Sequence, residues 1–173
     1  PEAEIDGVAA IARIARSAMT RVDNGSTAVS PEALASVQQA IADLGYVPNR
    51  AARSLATKQT NAIALVVPED TAMFFGDPFF ASIVSGINAR MSQSESVLNL
   101  FIASDDPGDK TTKYLLGGNV DGAIIVSHHT SHTYIDRIAD AVPVVFGGRP
   151  VRERATDFYV DVDNRDGGRV ATE

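Results

Sequence analysis

Two groups of side chains in this sequence have types and spacing that could do chemistry. The first lies near the amino end. On a helix over about residues 15–23, Arg16, Ser17, Thr20 and Asn24 fall on or near one exposed side, while Met19 and Val22 can face inward. Arg21 can reach a phosphate or a guanine edge. Such a face suits the major groove of a duplex. It would serve equally well as the solvated basic side of a plain three-helix bundle. The second group is "SHHTSH" at 127–132, which holds all three histidines of the chain. His128 and His132 have the i, i+4 spacing that binds zinc on a helix. This segment instead follows a strand end and contains no carboxylate, so it reads as a solvated loop at the ligand-facing edge of a sheet and not as a metal site. Neither the histidine loop nor Asp105–Asp106 falls in a catalytic motif, and "NAIALVVPED" lacks a G-x-G-x-x-G fingerprint for nucleotides.

The elements that must position these residues are legible from periodicity. Residues 7–23 are Ala-rich with apolar residues at helical spacing, and "NGS" at 24–26 is a turn. Ser30 before Pro31 is an N-cap with proline at N1, and Gly45 is a natural C′ residue for the helix between them. Leu34, Val37, Ile41 and Leu44 share one face of that helix. Pro48 closes this helical part. Beyond residue 61 the pattern changes. Apolar runs at 62–67, 97–102, 122–126 and 143–146, with a weaker one at 158–162, alternate with helical segments at about 78–93, 109–117 and 131–140. That alternation implies a parallel sheet covered on both faces, with ligands at the carboxyl ends of its strands.

Composition narrows the function classes. The chain has 173 residues, 45% hydrophobic and 21% charged, which is ordinary globular material. It has no cysteine, so a disulfide framework or thiolate metal site is excluded. No apolar run is long enough to span a membrane, and the acidic start lacks a basic n-region, so a cytoplasmic protein is expected. The net charge of −7 argues against a uniformly basic nucleic-acid binder. The charge is uneven, however: residues 13–58 hold six basic and three acidic residues, whereas 61–173 hold nine basic and sixteen acidic. A mildly basic helical piece on an acidic body suggests two modules with different partners. The closing "DNRDGGRVATE" reads as a helix just beginning, as in a fragment of something longer.

The stretch "SPEALASVQQAIADLGYVPN" followed by "YVPNRAARSLATKQT" resembles the LacI/GalR family of bacterial transcription regulators. The resemblance continues in order through "TNAIALVVPE", "DPFFASIVSGI", "NVDGAIIV", "VPVVFGGRP" and "VDNRDGGRVAT", nearly the whole chain. It implies an all-α helix-turn-helix headpiece over 1–47 and a hinge segment over 48–60. An α/β parallel-sheet lobe resembling periplasmic sugar-binding proteins would follow over 61–161, with the start of a second lobe at 162–173. It also implies a homodimer, or dimer of dimers, on double-stranded palindromic operator DNA, and a small sugar-like effector. No cofactor, metal or membrane partner is implied.

Carried over position by position, the resemblance places Arg16, Ser17 and Arg21 at recognition-helix contacts. Asn24, Ser30, Tyr46 and Asn49 fall at backbone contacts, and Ala52 and Leu55 at hinge positions entering the minor groove. In the lobe it places Asp77, Phe79 and Phe80 of "DPFF", Ser104–Asp105, Arg149, and Asp163–Asn164 in the effector cleft. Aromatic faces against a sugar ring, with carboxylates and an arginine bonding hydroxyls, suit such a ligand. Phe79 and Phe80 also have a plain reading as core aromatics opening an amphipathic helix. "NRAARSLA" is about two turns, and isolated helices shorter than about 12–15 residues are marginal in water. It is therefore expected to order when two copies meet over DNA, with Arg50 and Arg53 near phosphates and the paired Leu55 side chains wedging a base step.

The sequence departs from the family pattern at Arg13 (usually Gly), Ala15 (usually a capping Ser), Ala18 (usually Thr), Asp23 (usually apolar) and Gly148 (often acidic). The first four fall in the headpiece and leave it divergent. Gly148 removes one expected effector contact. The reading with most support is a ligand-responsive, sequence-specific DNA-binding regulator, most simply a repressor and not an enzyme. The alternative is a sugar-binding protein without a DNA role.

Overall fold

The computed structural model of the chain describes residues 5–11, 19, 22, 29–47, 50–129, 132–150 and 157–173. Contacts divide the chain into two compact units, Pro1–Thr60 and Asn61–Glu173.

In the first unit, α1 spans Ile5–Ile11, α2 Pro31–Leu44 and α3 Arg50–Thr57. The ends of α2 follow local chemistry. Ser30 Oγ accepts from the Ala33 N–H at 3.3 Å, which satisfies one of the free donors of the first turn. Gly45 takes the left-handed conformation, φ 60°, and lets the Tyr46 N–H turn back to the Ile41 carbonyl at 3.1 Å. Val8, Ala9, Met19, Val37 and Ala40 form a small core, with Val22, Ile41, Leu44 and Tyr46 packed against it. Met19 and Val22 lie in helical backbone, as their inward spacing implies.

The segment expected to order over DNA is already helical in the single chain. Lys58 N–H bonds the Ser54 carbonyl at 2.8 Å, and Thr57 Oγ1 donates to the Arg53 carbonyl at 3.0 Å. Alanine content and these closing bonds favour α3. They do nothing for Leu55, which is 84% exposed.

The second unit is a five-stranded parallel sheet, β1 (Ala62–Val67), β2 (Val97–Ile102), β3 (Gly122–Val126), β4 (Val144–Gly147) and β5 (Phe158–Val160), in the order β2-β1-β3-β4-β5. The weak fifth strand ends at Val160, two residues short of the apolar run, because Asp161 and Val162 lie past the last pair with β4. Two helices follow β1, α4 (Thr71–Gly76) and α5 (Pro78–Met91). Only the second stands out in the sequence. Asp70 caps the first through Met73 N–H at 2.8 Å, and Asp77 caps the second through Phe79 N–H at 2.9 Å. After β2, a short 3₁₀ turn leads into α6 (Lys110–Tyr114), which widens over Leu115–Asn119 instead of continuing as one regular helix. Then come α7 (Thr133–Ala141) after β3 and α8 (Asn164–Thr172) after β5.

Alternate residues of the strands feed two separate clusters. Ala62, Ala64, Val66, Ala123, Ile125 and Phe146 meet Leu115 and the α7 residues Tyr134, Ile135 and Ile138 on one face. Leu65, Val67 and Val126 meet Phe74 and Phe80 on the other, with Ile83, Val84 and Ile87 of α5. Helices therefore cover both faces, as near-continuous apolar strands require. The helices after β1 lie on one face and the helix after β3 on the other. The connections diverge between these neighbouring strands, which makes β1/β3 the topological switch point of the sheet. Among the described residues, no helix is long and apolar enough to cross a membrane.

Candidate functional site

The DNA-contact residues expected from the sequence divide sharply. Arg16, Ser17, Thr20, Arg21, Asn24 and Asn49 lie outside the described residues, as do Arg13, Ala15, Ala18 and Asp23. For Arg50 and Ala52 only the helical backbone is described. Ser30 is exposed and its hydroxyl caps α2; Tyr46 is partly buried against the helical core. Arg53 is half-buried on α3, and Leu55 projects into solvent from the same helix.

Three polar clusters lie at the carboxyl ends of the strands of the α/β unit. Beyond β4 and β5, Arg149, Asp163 and Asn164 are brought together around a cavity of about 1000 Å³ that is also lined by Tyr159 and Asp161. The Arg149 guanidinium lies 5.6 Å from the centre of the Tyr159 ring, an arrangement that supports cation–π attraction. Asp161 organises the group: it accepts from the Arg149 N–H at 3.3 Å and from Asn164 Nδ2 at 3.0 Å. Asp163 caps α8 through Asp166 N–H at 2.9 Å. Gly148, at φ +96°, sits where a side chain would be strained, so the missing acidic residue there matches the local backbone.

The second cluster opens α5. Asp77 spends one oxygen on its cap, and Phe79 is 52% exposed beside it, its ring 5.3 Å from Phe80. Phe80 corrects the expectation of two ligand-facing aromatics. It is 3% exposed, tilted against Phe74 at 5.3 Å, and belongs to the core under the sheet. Phe75, at the end of α4, is 77% exposed and was not singled out from the sequence.

The third cluster lies beyond β1, β2 and β3. Ser104 and Asp105 are exposed after β2. Asp106 accepts from Thr111 N–H, Thr112 N–H and Thr112 Oγ1 at 2.7–2.9 Å. Burial works to raise its carboxyl, but the bonds from Thr112 and Thr111 outweigh it and hold Asp106 below the usual aspartate range. Tyr134 donates to the Ala103 carbonyl at 2.9 Å. Burial first, then the charges of Asp106 and Asp105, push its phenol up to about 12.

In the histidine loop, Ser127 Oγ donates to Glu69 Oε1 at 2.6 Å, and His129 Nε2 lies 3.3 Å from the same oxygen. His132 Nδ1 accepts from the His129 N–H at 3.1 Å. The His128 ring packs on Phe146 at 4.8 Å. Burial, then the neighbouring histidines, holds both His128 and His132 below the ordinary histidine value. Among the described residues, no group of three or more His, Cys, Asp or Glu is placed to hold a metal. Glu69, Ser127 and Asp161 were missed in the sequence; the one signal available was their position just past a strand.

A further groove of about 900 Å³ lies at the amino ends of the strands, lined mainly by apolar residues such as Ile63, Ile87, Val145 and Phe158. Arg90, Asp121, Asp140 and Asp157 also line it, but it lies at the amino ends of the strands, opposite the end where a parallel sheet binds its ligands.

The structure thus has a parallel α/β lobe with polar clusters at its strand ends, preceded in sequence by a small helical unit. Comparisons with known proteins place this arrangement in a family. The chain is 42% identical over 175 residues to the HTH-type transcriptional regulator CelR of Thermobifida fusca, which covers 98% of this chain and 51% of that protein. It is 30% identical over 172 residues to the HTH-type transcriptional regulator MalR of Streptococcus pneumoniae, covering 98% of this chain and 52% of that one. Among solved structures, a CelR–cellobiose complex matches 96% of this chain and 49% of its own, at 36% identity and a TM-score of 0.59. A Lac repressor dimer bound to operator and the anti-inducer ONPF matches 99% and 52%, at 26% identity and a TM-score of 0.72. No family model matches the chain. Over the length it shares with these proteins, the chain belongs to the LacI family of transcriptional regulators. It spans about half the length of the curated relatives it matches.

Proposed function

We propose that the protein is a saccharide-responsive, sequence-specific DNA-binding regulator, acting as a homodimer on a palindromic operator. The observation that carries this reading is Leu55, 84% exposed on an eight-residue helix rich in arginine and alanine. Leaving a leucine in water forgoes burial worth roughly 1.5–3 kcal/mol. The minor groove of a kinked duplex is a partner that can recover it. Arg16, Ser17, Thr20 and Arg21 read the major groove in this scheme. Asn24, Ser30, Tyr46, Asn49, Arg50 and Arg53 hold the backbone, and Ala52 lies against the groove floor beside Leu55.

On the effector side, Phe79 offers a face to a sugar ring. Asp77, Ser104, Asp105, Arg149, Asp163 and Asn164 bond its hydroxyls. The likeness to a regulator solved with cellobiose makes a β-linked glucose disaccharide the first effector to try. Effector binding biases the lobe and dimer geometry, and so whether two headpieces reach two half-sites.

The test is anisotropy titration of the intact protein with palindromic and scrambled duplexes over a range of salt. A regulator shows a negative slope of log K against log salt and a specific site well above background. Leu55→Ala is expected to weaken operator binding about tenfold, with no change in melting temperature. Equal, salt-insensitive binding to both duplexes would overturn the reading.

A further inference from the structure

The switch point between β1 and β3 is where a parallel sheet opens a crevice, because neighbouring connections leave to opposite faces. What stands at that crevice here is a three-residue assembly drawn from both strand ends: Glu69 after β1, and Ser127 and His129 after β3. We infer that Glu69, held in place by Ser127 and His129, is the hydroxyl-reading group of the effector site and sets which saccharide the protein accepts. This rests on the saccharide reading above and assigns it a residue on the β1 side of the cleft.

Three observations support it. First, the Glu69 side chain is mostly buried, with 17% of its surface left, and both bonds converge on one oxygen, Oε1. Oε2 carries none of the hydrogen bonds made among the described residues, so it has lone pairs to offer. A carboxylate fixed by one oxygen presents the other at a defined angle, which a free surface glutamate does not. Second, Ser127 holds a left-handed backbone, φ +56°, that a non-glycine residue adopts only when the surroundings impose it. That conformation belongs to the residue whose Oγ reaches Glu69 at 2.6 Å. Third, the surroundings fit a neutral polyol. Asp105 adds negative charge near His132 and Tyr134, which disfavours an anion. Burial, then the neighbouring histidines, holds His128 and His132 below the ordinary histidine value, which favours their uncharged rings. A neutral polyol needs no charged partner there.

The assignment makes Glu69 a ligand contact, and Ser127 and His129 positioning residues. The experiment is isothermal titration of the intact protein with cellobiose and its single-deoxy analogues, comparing wild type, Glu69→Gln and Ser127→Ala. Melting curves without ligand check the fold of each variant. Glu69→Gln is expected to weaken cellobiose binding about tenfold or more, since it removes a hydrogen bond to a charged acceptor. One deoxy analogue should be penalised in wild type and no longer penalised in Glu69→Gln, because the lost hydroxyl and lost charge are the same interaction. Ser127→Ala should show a smaller loss confined to that same analogue. It carries the test alone if Glu69→Gln does not fold. If wild type binds cellobiose while the variants keep its affinity and its deoxy profile, this inference is overturned and the saccharide reading stands. If wild type binds neither cellobiose, cellotriose nor maltose, the saccharide reading falls and this inference falls with it.

Discussion

The helical unit and the α/β unit both bury apolar side chains completely, but on different scales. Among the described residues, five buried side chains make the core of the first, from Val8 to Ala40. In the second, twelve lie on one face of the sheet and five on the other. Ser30 and Gly45 secure the ends of α2, and caps of this kind matter most where the core is small. The lobe can carry strained or polar groups such as Ser127 and Asp106 at its strand ends because the sheet beneath them is held from both sides. The small unit depends on its caps, whereas the sheet is held by packing on both faces.

The two units should therefore respond separately to substitution. The largest effect is expected from Ile125→Ala, fully buried in β3, which should cost about 2–5 kcal/mol of lobe stability in denaturant unfolding. It should reduce saccharide affinity along with stability. Val37→Ala, fully buried in α2, should cost about 2 kcal/mol through two lost methyl groups. It should weaken operator binding while leaving saccharide titrations unchanged. A parallel loss of saccharide affinity would break the comparison. Ser30→Ala should cost about 1 kcal/mol, read as earlier melting of the helical unit alone.

The smallest effect is a pH dependence that sharpens the contrast. His128 and His132 have folded values below their ordinary 6.5. The unfolded chain then binds more protons as pH falls through that value, so lobe stability is full above about 6.5 and declines below it. Residues 1–60 hold no histidine, so the helical unit should melt unchanged across the same window. Asp106, also held low, adds its own loss only below its ordinary 3.8. Melting followed at pH 7.5 and 5.5 checks this, and replacing His128 and His132 by Gln should flatten the curve.

Much of the fold is legible without coordinates. The bounds of α2, its caps, the start of α5 at Asp77–Pro78 and four of the strands follow from signals a few residues long. The trio Arg149, Asp163 and Asn164 came with the family resemblance, and the structure places all three on one cavity, with Arg149 and Asn164 bonded to Asp161. Phe80 went the other way. "DPFF" does not say which ring turns inward; the helical position of Phe80, packed on Phe74 and Val126, decides it. The break of α6 at Leu115 and the exposure of Phe75 are likewise invisible in the apolar pattern, which does not distinguish a widened turn from a regular one.

The sequence by itself determined the two-module division, the capped helix and the alternation of strand and helix, because periodicity and capping depend on neighbours within a turn or two. Only the tertiary structure decided that Glu69 and Ser127, 58 residues apart, share a hydrogen bond. That meeting depends on β3 pairing beside β1 in one register, Val66 against Ile125, so that the two strands end level. No local signal encodes that register; it comes from burying both faces of the sheet at once.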